Sequence, residues 1–151
     1  MWQRVFGRSD SGLTPAEIAG ALASAGHACT PHFKGDDLGW TSGELRFAAG
    51  SPILLARYLA KPDDLRADLN AFAAELETMT YSDKAPALME RVIQTRQMVT
   101  LRKPFDHGDE VELDAVCERL VRALAEASDG VYQIDGKGWF AADGELLVQE
   151  Y

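Results

Sequence analysis

The sequence predicts an α+β fold for residues 1–151, taken as one domain: an antiparallel sheet of five or six strands in two groups, covered by about four helices. Three observations carry this. The stretch Gly130 to Tyr151 holds Asp135-Gly136 and Asp143-Gly144 between runs of aromatic and branched residues. Asp-Gly suits tight hairpins, because Gly takes a positive φ without a Cβ clash and Asp tolerates one, so this stretch reads as a three-stranded meander. A meander of this size needs a cover. Apolar residues at helical spacing upstream supply it, and the extended segments lie on either side of a helical centre, which argues against a parallel βαβ sheet.

Taken in order, residues 2–6 form a short strand with Trp2, Val5 and Phe6 as its apolar surface, and Arg8 to Gly12 is a turn-rich loop. Thr14 as N-cap, Pro15 at the first helical position and Glu17 at N3 make a capping box, and Leu13 with Ile18 makes a hydrophobic staple. The spacing predicts a helix over 15–25 that buries Ile18, Ala21, Leu22 and Ala25 and stops at Gly26. Three extended segments follow. Residues 28–34 suit an edge because of Pro31; residues 40–48 place Leu45 and Phe47 on one face, with Gly43 at a bulge; residues 53–59 are the most apolar and suit a central strand.

The next helix is the plainest. Leu65, Leu69, Phe72 and Leu76 form a continuous stripe, and Pro62, Asp63 and Asp64 suit its positive N-terminal end. Ser82 or Asp83 caps a third helix carrying Leu88, Met89, Val92 and Ile93. Residues 95–101 are rich in β-branched side chains and fit a helical continuation or a strand. After the loop 105–112, Asp114 caps a fourth helix with Val116, Leu120, Ala123, Leu124 and Ala127 inward, and Gly130 ends it. In the meander Tyr132, Ile134, Trp139, Phe140, Leu146 and Val148 are the candidates for the buried face. A helix followed by three strands thus occurs twice, near 15–59 and 114–150, with Gly39-Trp40 echoed by Gly138-Trp139. Duplication and a chance likeness of hairpins both explain the echo.

Composition excludes some functions. The chain is acidic, with a formal net charge of −9. Nonspecific nucleic-acid binding needs clustered cations to neutralise phosphates, and an anionic membrane surface repels such a chain, so neither partner is expected. The N-terminus lacks the apolar core of a signal peptide and no apolar run spans a bilayer. Cys29 and Cys117 match no metal or redox spacing and read as reduced thiols of a cytoplasmic protein, a disulfide between them requiring a fold that brings their Cα atoms close together.

No catalytic residue, metal site or cofactor is assigned. The carboxylates Asp106, Asp109, Glu110, Glu112 and Asp114, with His107 among them, depart from a calcium-loop pattern and read as a solvated acidic loop. The three histidines, His27, His32 and His107, form no zinc pair, and neither Ser51 nor Cys117 has the flanking residues of a nucleophile. Charge is more telling. Lys84, Arg91, Arg96, Arg102 and Lys103 face Glu90 alone over residues 84–103, whereas 106–118 carries Asp106, Asp109, Glu110, Glu112, Asp114 and Glu118 and no Lys or Arg. The two runs either pair with each other or polarise a surface toward a protein partner. The leading expectation is a non-catalytic interaction module, comparable to small acidic chaperones, immunity proteins and adaptors. The alternative is an enzyme or small-ligand binder with an anion- or metal-binding pocket between sheet and helices, using either the Asp106–Asp114 loop or Arg91, Arg96 and Arg102, which would hold an anion. An exposed Trp at position 2, 40 or 139 would serve as a binding anchor.

Overall fold

The computed structural model describes residues 2–61, 63–106 and 109–151. It is α+β, with strands β1 (Trp2–Gly7), β2 (Thr30–Asp36), β3 (Gly39–Arg46), β4 (Ile53–Leu59), β5 (Gln97–Arg102), β6 (Gly130–Ile134), β7 (Gly138–Ala141) and β8 (Leu146–Gln149). The helices are α1 (Pro15–Ser24), α2 (Arg66–Glu77), α3 (Ala85–Ile93) and α4 (Glu110–Ala127). All the strands join one antiparallel sheet in the order β2-β3-β4-β5-β1-β6-β7-β8.

The sheet therefore has eight strands rather than five or six. The residues that were ambiguous between helix and strand become β5, because Val99 and Thr100 fit a pleat paired on both sides, with β1 and with β4. The Pro31 segment joins as the edge strand β2, and the short run at the N-terminus becomes β1 near the centre.

The helices lie on both faces, not on one. Alternation along the strands sends Val5, Val99 and Tyr132 to one side and Phe6, Met98 and Val131 to the other. On the first side α1 and α4 bring Ile18, Leu22, Leu113, Val116, Leu120 and Val121 against Leu45, Ile53, Leu55 and Leu101. On the second, α2 and α3 bring Leu65, Leu69, Leu76, Leu88 and Val92 against Phe6, Met98, Trp139 and Val148. Each such side chain contributes about 1.5–3 kcal/mol on full burial. The meander accordingly has two buried faces. Tyr132 stacks on Phe140 at 5.1 Å on the α4 side, whereas Trp139 and Val148 face α2 and α3, and Leu146 is exposed. Its turns are those expected, with Gly136 at φ 79° and Gly144 at φ 94°.

Local signals hold best at α1. Thr14 Oγ1 accepts from the Glu17 amide at 3.1 Å, and Glu17 Oε1 accepts from the Thr14 amide at 3.0 Å. Two starts differ from expectation. α4 begins a turn earlier, because Asp109, not Asp114, caps it by accepting from the Glu112 amide at 3.1 Å. At α3 Lys84 occupies the N-cap, and Ser82 Oγ accepts from the Lys84 amide at 3.3 Å. His107 and Pro62 lie outside the described residues.

The two helix-plus-three-strand segments enter the sheet in opposite senses. The first meander joins the centre through its last strand, β4, and the second through its first strand, β6. Trp40 belongs to the core under α1 and α4, and Trp139 to the core under α2 and α3. The echoed Gly-Trp pairs thus point to opposite faces of the sheet.

Candidate functional site

The second core draws strand residues from β1, β5, β6, β7 and β8 and none from β2, β3 or β4. On the α2/α3 side those three strands and the outer end of β5 therefore have no helical cover among the described residues. Strand pairing lays a row of side chains across this bare face: Trp2, Arg102, Leu54, Glu44 and His32, each opposite the next. Beside it runs a second row, Arg4, Thr100, Ala56, Ser42 and Lys34. Tyr58 follows on β4, paired with Met98 where the helical cover begins.

Large apolar side chains are open to water here. Trp2 is 41% exposed, Leu54 42% and Tyr58 39%. The other two tryptophans are buried. Arg102 lies over the Trp2 ring at 5.8 Å from its centroid, and Arg4 over Phe72 at 5.2 Å, where α2 closes the boundary. Phe105, 85% exposed, lines a cleft of about 420 Å³ with Pro52, Leu54 and Arg102. A second, broader trough of about 640 Å³ runs from Leu54 past Glu44 and Arg46 to His32 and Lys34. Leu54 belongs to both, so the two form one surface.

Its charge opposes that of the chain. Lys34, Arg46 and Arg102 stand on this face against Glu44, which Arg46 engages, while Arg4 is neutralised by Asp135 at 2.7 Å. Gly43 lets the aromatic cover of the opposite face close: the Phe33 ring fills the space above it and meets Trp40 edge-on at 5.1 Å.

The sequence-nominated arginines are dispersed. Arg91, on α3, pairs with Asp129, which also takes Arg8 at 3.0 Å. Burial, and then the nearby Arg8 charge, lower the Arg91 pKa against the pull of Asp129. Arg96 is exposed just before β5, and Arg102 ends that strand, about 20 Å away at the usual strand rise. Arg91 and Arg102 line separate clefts. Only Arg102 belongs to the bare face.

The acidic loop is taken up locally. Asp106 accepts from Ser51 at 2.8 Å, Asp109 caps α4, and Asp114 pairs with Lys103. That last pair is the one ion pair among the described residues that joins the basic and acidic runs. Among the described residues no group of three or more His, Cys, Asp or Glu could hold a metal ion. Cys29 and Cys117 are both free thiols. Among the described residues no helix is long and apolar enough to cross a membrane.

Comparison with protein-family models, with curated proteins and with solved structures returned no match.

Proposed function

We propose that this chain is a non-catalytic protein-interaction module and that the uncovered face of β2–β5 is its docking surface. One observation carries the reading: the helical cover stops at β5 and leaves Trp2 and Leu54, in one cross-strand row, and Tyr58, further along β4, exposed on the same face of the sheet. Contiguous exposed apolar surface of this kind marks interaction sites, and Trp, Tyr and Arg are the side chains that anchor them.

The occupant is a segment of a partner protein that carries acidic groups among apolar ones. The face offers Lys34, Arg46 and Arg102 against Glu44, on a chain of net charge −9. A second copy meeting it face to face would set these cations against themselves, whereas an acidic segment complements them. The free thiols fit a reducing, cytoplasmic setting.

Native mass spectrometry of the chain gently purified from its own cells tests this, beside a Leu54→Asp, Tyr58→Asp double variant. Both positions are exposed, so the variant should keep the wild-type melting temperature to within a few degrees. The expected result is a complex with one acidic polypeptide that weakens as salt rises and is missing from the variant. A complex that survives in the variant overturns the docking surface. A bare multiple of 16.5 kDa overturns the choice of partner.

A further inference from the structure

The opposite face holds a cavity built around a different arginine. Arg57 points from β4 toward the α1 side, where a cavity of about 340 Å³ opens beneath the loop that leads from β1 into α1. Five described arginines are half-buried: Arg4, Arg8, Arg57, Arg91 and Arg122. Four have a carboxylate partner, namely Asp135, Asp129, Asp129 and Glu118. Arg57 has none among the described residues, in a chain with 24 acidic side chains to choose from.

Neutral acceptors hold it instead. Its Nε donates to Gln97 Oε1 at 2.8 Å, its Nη1 to the carbonyls of Leu38 at 3.1 Å and Trp40 at 3.3 Å, and its Nη2 to the Asp10 carbonyl at 3.0 Å. A guanidinium has five N–H donors, so these bonds leave one Nη2 hydrogen and the whole positive charge unmatched. The surroundings are fixed as well. Gln97 donates to the carbonyls of Ser9 and Ser11, and the Trp40 indole donates to the Leu13 carbonyl at 3.0 Å, so the loop is tied down over the cavity. Gly39, at φ 110°, brings the chain to the guanidinium, and a Cβ there would lie 3.2 Å from Nη1.

The remaining walls are mostly apolar: Leu13, Pro15, Leu38, Trp40, Val99 and Leu124. A cavity of this size with apolar walls and one preorganised cation matches a small organic ligand. We infer that this cavity binds a small monocarboxylate with an apolar or aromatic body, its carboxylate on Arg57 and its body against Trp40, Val99 and Leu124. One free donor suits one anionic oxygen. Asp10 is among the lining residues, and its negative charge disfavours a doubly charged ligand such as phosphate.

The wild-type protein can be titrated with benzoate, phenylacetate and indole-3-acetate, with the matching amides and inorganic phosphate as controls, by calorimetry and Trp fluorescence. The expected result is saturable binding of at least one carboxylate, about tenfold or more tighter than its amide, with none of phosphate. Arg57→Gln should weaken it by about tenfold or more. Because Arg57 also ties down the loop, Leu38→Trp gives a second reading. It fills the exposed rim and leaves the backbone carbonyl that Arg57 uses, and it should block binding while the protein stays folded. Equal affinity for acid and amide, no saturation by any carboxylate up to about 10 mM, or binding indifferent to both variants overturns the inference. None of these outcomes bears on the face across the sheet.

Discussion

Arg102 lies over the Trp2 indole at 5.8 Å from the ring centroid, on the side of the sheet that no helix covers. The pair begins a cross-strand row whose next member is Leu54. Leu54 and Leu55 are neighbours of the same type with opposite surroundings, one 42% exposed and the other 3%. Leu54→Ala should change stability by no more than about 0.5 kcal/mol, and Leu55→Ala should cost about 2–5 kcal/mol. Urea denaturation of the two variants decides it. Equal losses would mean that the bare face is covered in solution.

Gly43 and Phe33 make a second testable relationship. A Cβ at Gly43 would stand 2.3 Å from Phe33 Cδ2, and the ring is itself wedged against Trp40. Overpacking of this kind costs about 1–3 kcal/mol. Gly43→Ala should therefore destabilise by that amount, and combining it with Phe33→Leu should cost less than the sum of the two single changes. Additive losses in a double-mutant cycle would show that the ring can move aside freely.

What was legible in the sequence divides along a physical line. Thr14 with Glu17, the Asp-Gly turns and the Leu65, Leu69 and Leu76 stripe are local, and residues a few positions apart determine them. The bare face is not local. Leu54 and Leu55 read alike until α2 and α3 settle over β1 and β6–β8 rather than over β2–β4. The dispersal of Arg91, Arg96 and Arg102 follows from the strand character of residues 97–102, which only the pairing with β1 and β4 decides. Arg57 did leave a trace, as a lone charge inside the most apolar extended segment, but its missing carboxylate is a fact of three dimensions.

Acid should loosen the contact between β1 and the meander. Burial works to raise the Asp135 pKa, but hydrogen bonds from Gln133 and Arg4 outweigh it and hold the carboxyl below its ordinary 3.8. A depressed carboxylate contributes stability above its unfolded value, and that contribution is lost as pH falls through the folded value. Asp135→Asn should be less stable than wild type at pH 7, and the difference should close below about pH 4. A gap that stays constant down to pH 2.5 would contradict the ion pair's role.

Cys117 bears on whether any thiol chemistry is open to this protein. It is fully buried on the inner face of α4, and burial pushes its pKa up to about 12, against the pull of Lys103. The thiolate is the reactive form, so at pH 8 almost none is present. Cys29 is partly exposed and only its partial burial raises its pKa. In native buffer a thiol reagent should label Cys29 first, with Cys117 protected until the fold opens. Its labelling rate should rise with urea in step with global unfolding, as mass mapping of the modified peptides would record. Labelling of Cys117 as fast as Cys29 in native buffer would show an open path to α4 and return that thiol to the list of possible nucleophiles.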